Sequence, residues 1–257
     1  MYLKMVAGVI LFALFSCLNG QSPRQQGLSS AGSVKASSNF PSVEAIPLPE
    51  GFARTTWKKD GFGEWLRDLT LKEDKTVYLY NGTPKANQSA QFAVLNISVG
   101  DKDLQQCADA VMRLRAEYLF AKKEYDNIRF TDNAGGHYQF GPPYTSDHLH
   151  TYLQKVFGMC GTASLSKQLN PVQIMDMQPG DVFIKGGFPG HAVMVVDMAE
   201  NSKGEKIYLL AQSYMPAQDI HILINPNNPE LSPWYLLEDQ DVTTPEYFFT
   251  KEQLKSW

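Results

Sequence analysis

Pro179-Gly-Asp181-Val-Phe-Ile184, followed by Gly186-Gly187-Phe-Pro-Gly190 and then His191-Ala-Val-Met-Val-Val-Asp197, spells a strand, a glycine-rich turn and a second strand. Two more apolar, β-branched runs follow, Ile207–Ser213 and His221–Ile224, separated by Gly, Asn or Lys clusters. Spacing this short suits antiparallel neighbours. The upstream half reads as helices. Asp103 is placed to cap a helix running to about Glu124, with Asp109–Arg113 and Arg113–Glu117 as i,i+4 pairs on its wet face. Helices first and a meander of strands afterwards predict an α+β domain.

Shorter signals fill the rest. Phe62–Leu69 spaces its apolar residues as a short amphipathic helix. Thr76–Tyr80, the turn pair Asn81-Gly82 and Gln91–Val99 predict a hairpin or β-meander. Residues 125 to 170 form an insertion. Within it Ile128–Tyr144 reads as irregular, and Ser146–Met159 as a helix stopped at Cys160-Gly161. Thr250 is placed to cap a last helix over Lys251–Trp257.

The chain opens with Lys4, an apolar run from Met5 to Phe15, and Ser16-Cys17. A bilayer span needs roughly 20 apolar residues, so this run predicts a secretory leader instead. Leu14-Phe-Ser-Cys17 resembles a bacterial lipobox, which implies removal of residues 1–17 and lipidation of Cys17. Residues 18–45 carry few large apolar side chains and read as a flexible tether. Residues 46–257 are then a single domain. An ordinary leader cut near Gly20, or an uncleaved anchor, is the bland alternative. Lipidation implies a membrane partner through the anchor. Leu18 after the cysteine, with no aspartate there, resembles enterobacterial outer-membrane sorting, which implies the outer membrane, facing the periplasm or the cell surface.

Aromatic residues make up 12% of the chain and charged residues 19%, a balance that permits a substantial core. The net charge of −4, with no basic run, argues against a nucleic-acid partner.

Cys107 stands at the start of a strong helix, where orphan N–H groups and the helix dipole favour a thiolate. His191 opens a strand, and Gly186, Gly187 and Gly190 leave room beside it for a ligand. A third group must fix the imidazole's tautomer. Asp197 is six residues along the same strand, too far to do so. Gln212 on the next strand is the better candidate, and Asp219 is second. Gln105 and Gln106 are candidates to hold an oxyanion together with the Cys107 N–H. The bland reading fits the same residues. Cys107, Val111, Leu114 and Tyr118 share one stripe, and cysteine is often buried. His191 can simply close a turn. Cys107 and Cys160 can also pair in an oxidising compartment, which would end any thiol chemistry. His137, His148, His150 and His221 lack a ligand spacing, so no metal or other cofactor is expected.

Asp103-Leu-Gln-Gln-Cys107-Ala-Asp-Ala-Val-Met-Arg-Leu-Arg-Ala-Glu-Tyr118, Gly190-His-Ala-Val-Met-Val-Val-Asp197, Leu210-Ala-Gln-Ser-Tyr-Met-Pro-Ala-Gln-Asp-Ile-His221 and Ser232-Pro-Trp-Tyr235 resemble an uncharacterised family, domain of unknown function 4846. That family occurs mainly in secreted or lipid-anchored proteins of Bacteroidetes. More distantly, a helix-start cysteine, a strand-start histidine and a polar residue on the next strand resemble the NlpC/P60 and CHAP cell-wall cysteine peptidases and amidases. That resemblance implies a papain-like fold, with an antiparallel sheet packed on a central helix. It carries Cys107 over as nucleophile, His191 as base and Gln212 as orienter. The chain departs from the pattern in lacking Asp-Cys-Ser/Gly at the thiol and in its long Cys-to-His spacing. The expected function is a cell-envelope cysteine hydrolase of peptide or amide bonds, with peptidoglycan or a peptide as partner. The alternative is a non-catalytic ligand-binding or structural lipoprotein, its groove lined by Phe130–Tyr144 and Trp234-Tyr235.

Overall fold

The computed structural model describes residues 40–257. The leader, the lipobox at Cys17 and nearly all of the tether lie outside the described residues. In chain order the elements begin with β1 (Phe52–Arg54), α1 (Phe62–Arg67), β2 (Gln91–Val94) and α2 (Cys107–Ala121). The insertion follows as β3 (Arg129–Thr131), β4 (His137–Gln139), α3 (Ser146–Met159), α4 (Thr162–Gln168) and β5 (Asn170–Pro171). The main strands are β6 (Val182–Lys185), β7 (His191–Asn201), β8 (Lys206–Gln212) and β9 (His221–Leu223). Four short strands end the chain: β10 (Tyr235–Leu236), β11 (Val242–Thr243), β12 (Phe248–Phe249) and β13 (Leu254–Ser256).

The domain is α+β. Its nine-stranded sheet runs β2-β9-β8-β7-β6-β13-β5, with β1 added to β7 and β10 to β8, and every pairing is antiparallel. Strand alternation divides the core into two layers. Ala192, Met194 and Val196 face a layer shared with α2, while Val193 and Val195 face Phe183, Leu210 and Phe249. Among the described residues no helix is long and apolar enough to cross a membrane.

Helix α2 is buried nearly all round, because the insertion helices α3 and α4 cover the side turned from the sheet. The expected stripe of Cys107, Val111, Leu114 and Tyr118 is indeed buried. The expected wet face is not wet. Asp109 and Arg113 are both buried, and they do not pair. The other expected pair does form: Arg113 bonds Glu117 at 2.7 Å, and also the Ser98 carbonyl at 2.6 Å and the Gln105 side chain.

The cap is also displaced. The helix starts at Cys107 after Gln106, whose N–H donates to the Asp109 carboxyl at 3.0 Å. Asp103 accepts the Ala217 N–H at 2.7 Å, which ties the helix approach to the loop after β8. The thiol is therefore carried by the first helical residue.

Three further expectations change. The Asn81-Gly82 turn exists, with Gly82 in the left-handed region, but it closes only a local Tyr78–Pro84 bridge. Pro84 has no N–H to extend a ladder. The return strand β2 pairs with β9 instead. Ile128–Tyr144 contains the small hairpin β3–β4 rather than irregular chain alone. Residues 251–257 are one 3-10 turn followed by β13, because Leu254 is drawn into the core opposite Phe183 at the open edge of β6. Propensity yields here to burial and to an unpaired strand edge.

Candidate functional site

Cys107, the first residue of α2, lines a groove of about 340 Å³ with Gln106, Cys160, Phe188, Gly190 and Met215. Cys107 as a residue is 7% exposed. The backbone N–H groups of Ala108 and Ala192 act to lower its pKa, which puts the start of β7 close to the helix start. Burial nevertheless pushes the thiol up to about 11, and the Asp109 carboxyl adds to the rise. Cys160 is also a free, buried thiol; no disulfide joins the two.

Gly190 makes this junction possible. A side-chain carbon there would fall 2.6 Å from the carbonyl oxygens of Lys185 and Gly187, and closer still to the Thr162 hydroxyl. Only glycine lets the turn pass between α4 and β6 into the start of β7.

His191 is buried and ringed by Tyr214, Tyr247 and Phe249, with ring centroids at 4.6, 4.8 and 5.9 Å. Burial pushes its pKa down to about 4, so the ring is neutral at physiological pH. Its Nε2 lies 2.8 Å from the Gln212 amide oxygen. No hydrogen bond joins the ring to the Cys107 sulfur. Gln212 therefore touches His191, and a further set of residues stands behind it. Gln212 donates one N–H to Glu246 at 2.7 Å and approaches His221 Nε2 at 3.3 Å. Glu246 also accepts from Lys85 at 2.5 Å and from Asn87 at 3.0 Å. His221 Nδ1 donates to the Asp219 carbonyl at 2.9 Å.

The other candidates fall elsewhere. Gln105 is buried, its oxygen bonded to Arg113 and its nitrogen 3.4 Å from the Gln218 carbonyl, so it is unavailable to an oxyanion. Gln106 lines the groove and keeps an amide there, 3.3 Å from Asp103. Asp219 pairs with Lys72 at 2.9 Å and does not reach His191. Asp197 is fully buried between Arg54 and Arg67, at 2.8 and 2.6 Å. The aromatic groove imagined over Phe130–Tyr144 and Trp234-Tyr235 is largely core, since Phe130, Phe140, Trp234 and Tyr235 are all buried.

Sequence reasoning missed Lys85, Asn87 and Glu246. They come from a non-repetitive loop and from Thr244-Pro-Glu246-Tyr, and neither carries a recognisable spacing. His221 was legible only as a strand start; the register Gln212↔His221 makes it part of the site.

No curated protein and no solved structure matches the chain. A family model described as "Domain of unknown function (4846)" matches residues 43–142 and 137–256, and the chain belongs to that family.

Proposed function

We propose that this protein is a thiol-dependent hydrolase of peptide or amide bonds on a papain-like scaffold, acting in the cell envelope. One observation supports the reading: the Ala192 N–H acts on the helix-start thiol of Cys107, and the residue before Ala192 in the strand is His191, whose Nε2 is held by Gln212. With both groups neutral at rest, the proton moves during attack and not before it. The sulfur bonds the carbonyl carbon, its proton passes to His191 Nδ1, and the carbonyl electron pair moves onto oxygen. In this reading the Cys107 N–H, and the Gln106 amide once turned from Asp103, receive that oxyanion. The C–N bond then breaks as His191 returns the proton to the leaving amine. Water, deprotonated by the same imidazole, hydrolyses the thioester. No hydrogen bond joins sulfur and imidazole in the unliganded site, so the reading requires that substrate binding bring them together.

The groove rim supports an apolar acyl segment. Phe188, Met159 and Met215 line it and are 91%, 55% and 54% exposed. A peptidoglycan stem peptide or a free peptide fits that description. In this reading a lipid on Cys17 holds the domain at the outer membrane on its periplasmic side, and Cys17→Ala releases it from the membrane fraction.

The test is alkylation of Cys107 by iodoacetamide, with Cys160 as internal reference. The reading expects Cys107 to react faster than Cys160 and to lose that advantage, roughly tenfold or more, in His191→Ala. Equal rates at the two thiols overturn it. Burial of the thiol and enclosure of the imidazole favour a second reading, a groove that binds without turnover. Full biological function in Cys107→Ala would select that one.

A further inference from the structure

The contacts of Gln212 leave only one chemically consistent arrangement of protons. Glu246 is held by the Lys85 ammonium at 2.5 Å and by the Asn87 amide at 3.0 Å, so it faces Gln212 as a carboxylate that can only accept. His221 donates through Nδ1 to the Asp219 carbonyl at 2.9 Å, so its Nε2 is bare and also only accepts. Both acceptors lie on the nitrogen side of the Gln212 amide, at 2.7 and 3.3 Å. The amide oxygen must then face His191, 2.8 Å away. A carbonyl oxygen accepts, so His191 carries its proton on Nε2 and presents a bare Nδ1.

The reversed amide would set its oxygen against the Glu246 carboxylate and the His221 lone pair. It would also offer an N–H to His191 Nε2 and so force the proton onto Nδ1. Gln212, His191 and His221 are each no more than 1% exposed, so water cannot substitute for a wrong partner. Lys85 also sits 5.9 Å over the ring of Tyr214, which packs on His191.

We propose that Glu246, charged by Lys85, is a positioning residue that fixes the Gln212 amide and thereby holds His191 in the Nε2–H tautomer, with Nδ1 free to take a proton. Neither Glu246 nor Lys85 touches the groove that holds Cys107; they act through Gln212. The tautomer assignment stands by itself, and its catalytic meaning rests on the hydrolase reading above.

The experiment is ¹⁵N NMR of ring-labelled histidine in the intact domain. In the wild type His191 is expected to show a protonated Nε2 and an unprotonated Nδ1. Glu246→Gln keeps an acceptor oxygen and is expected to keep this pattern. Lys85→Leu/Glu246→Leu removes acceptor and cation together, leaving no orphaned charge, and is expected to lose it as the Nδ1–H form appears. Alkylation of Cys107 is followed in the same three proteins. An Nδ1–H signal from His191 in the wild type overturns the proposal and needs no variant to fold. So does an unchanged tautomer in a folded double variant. A tautomer that shifts while Cys107 alkylation stays at the Cys160 rate upholds the positioning role and sinks the hydrolase reading.

Discussion

His191 and Gln212, opening β7 and closing β8, meet at 2.8 Å through the imidazole Nε2 and the amide oxygen. The amide is a bridge. On its other side lie a carboxylate and a second buried imidazole, which makes it the hub of a polar cluster inside a hydrophobic layer.

Gln212→Leu keeps much of the volume but strips three partners. His191 and His221 lose a hydrogen bond each, and Glu246 loses one of its donors. Buried polar groups left without partners cost about 1–3 kcal/mol each, so a loss of about 2–4 kcal/mol is expected in urea unfolding. A change below about 0.5 kcal/mol would mean that the cluster relaxes or hydrates at little cost.

Stability is expected to fall on mild acidification. Burial pushes His191 and His221 down to about 4, against an ordinary 6.5. Between those values the unfolded chain binds protons that the folded chain refuses, so stability is intact above 6.5 and drains away towards 4. The upper limit is about 3 kcal/mol per histidine. Asp181, raised to about 6 by burial, acts in the opposite direction between 3.8 and 6. Urea midpoints at pH 7 and pH 5 should therefore differ more in Asp181→Asn than in the wild type.

Asp109 is the groove-lining carboxyl whose Oδ1 is buried without a partner. Burial holds its pKa well above the ordinary 3.8. The folded chain keeps a proton there that the unfolded chain surrenders, so this group costs stability as pH rises through that window. Asp109→Asn removes the penalty and keeps an oxygen for the Gln106 N–H. It also removes the second cause of the raised Cys107 thiol. Iodoacetamide alkylation of Cys107 at pH 8 should rise roughly two- to fivefold. A flat pH profile between the two proteins would show that burial alone sets the thiol.

Gly190→Ala tests the junction of turn and helix. The added carbon meets two backbone carbonyls at 2.6 Å, and backbone cannot rotate away as a side chain can. A loss of about 2–4 kcal/mol is expected, with slower Cys107 alkylation as β7 shifts from the helix start. Wild-type stability in this variant would mean that the turn has room the structure does not show.

Local pattern reaches far into this fold and stops at definite places. Strands β6 to β9 and helices α1 and α3 follow from periodicity, because burial on one or both faces demands it of each segment separately. Residues 251–257 carry a helical pattern, yet Leu254 joins the sheet edge, since a vacant row of hydrogen bonds outweighs a weak local preference. In the site, Cys107, His191 and Gln212 were legible because each occupies a recognisable end of an element. Lys85, Asn87 and Glu246 were not, because a charge in a loop looks alike whether it is solvated or aimed at a buried amide. The chain's own order determined that Cys107, His191 and Gln212 stand at the ends of elements. Three-dimensional packing alone decided that a carboxylate and a lysine from distant loops converge on one glutamine, because desolvation and hydrogen-bond geometry act between segments that share no local pattern.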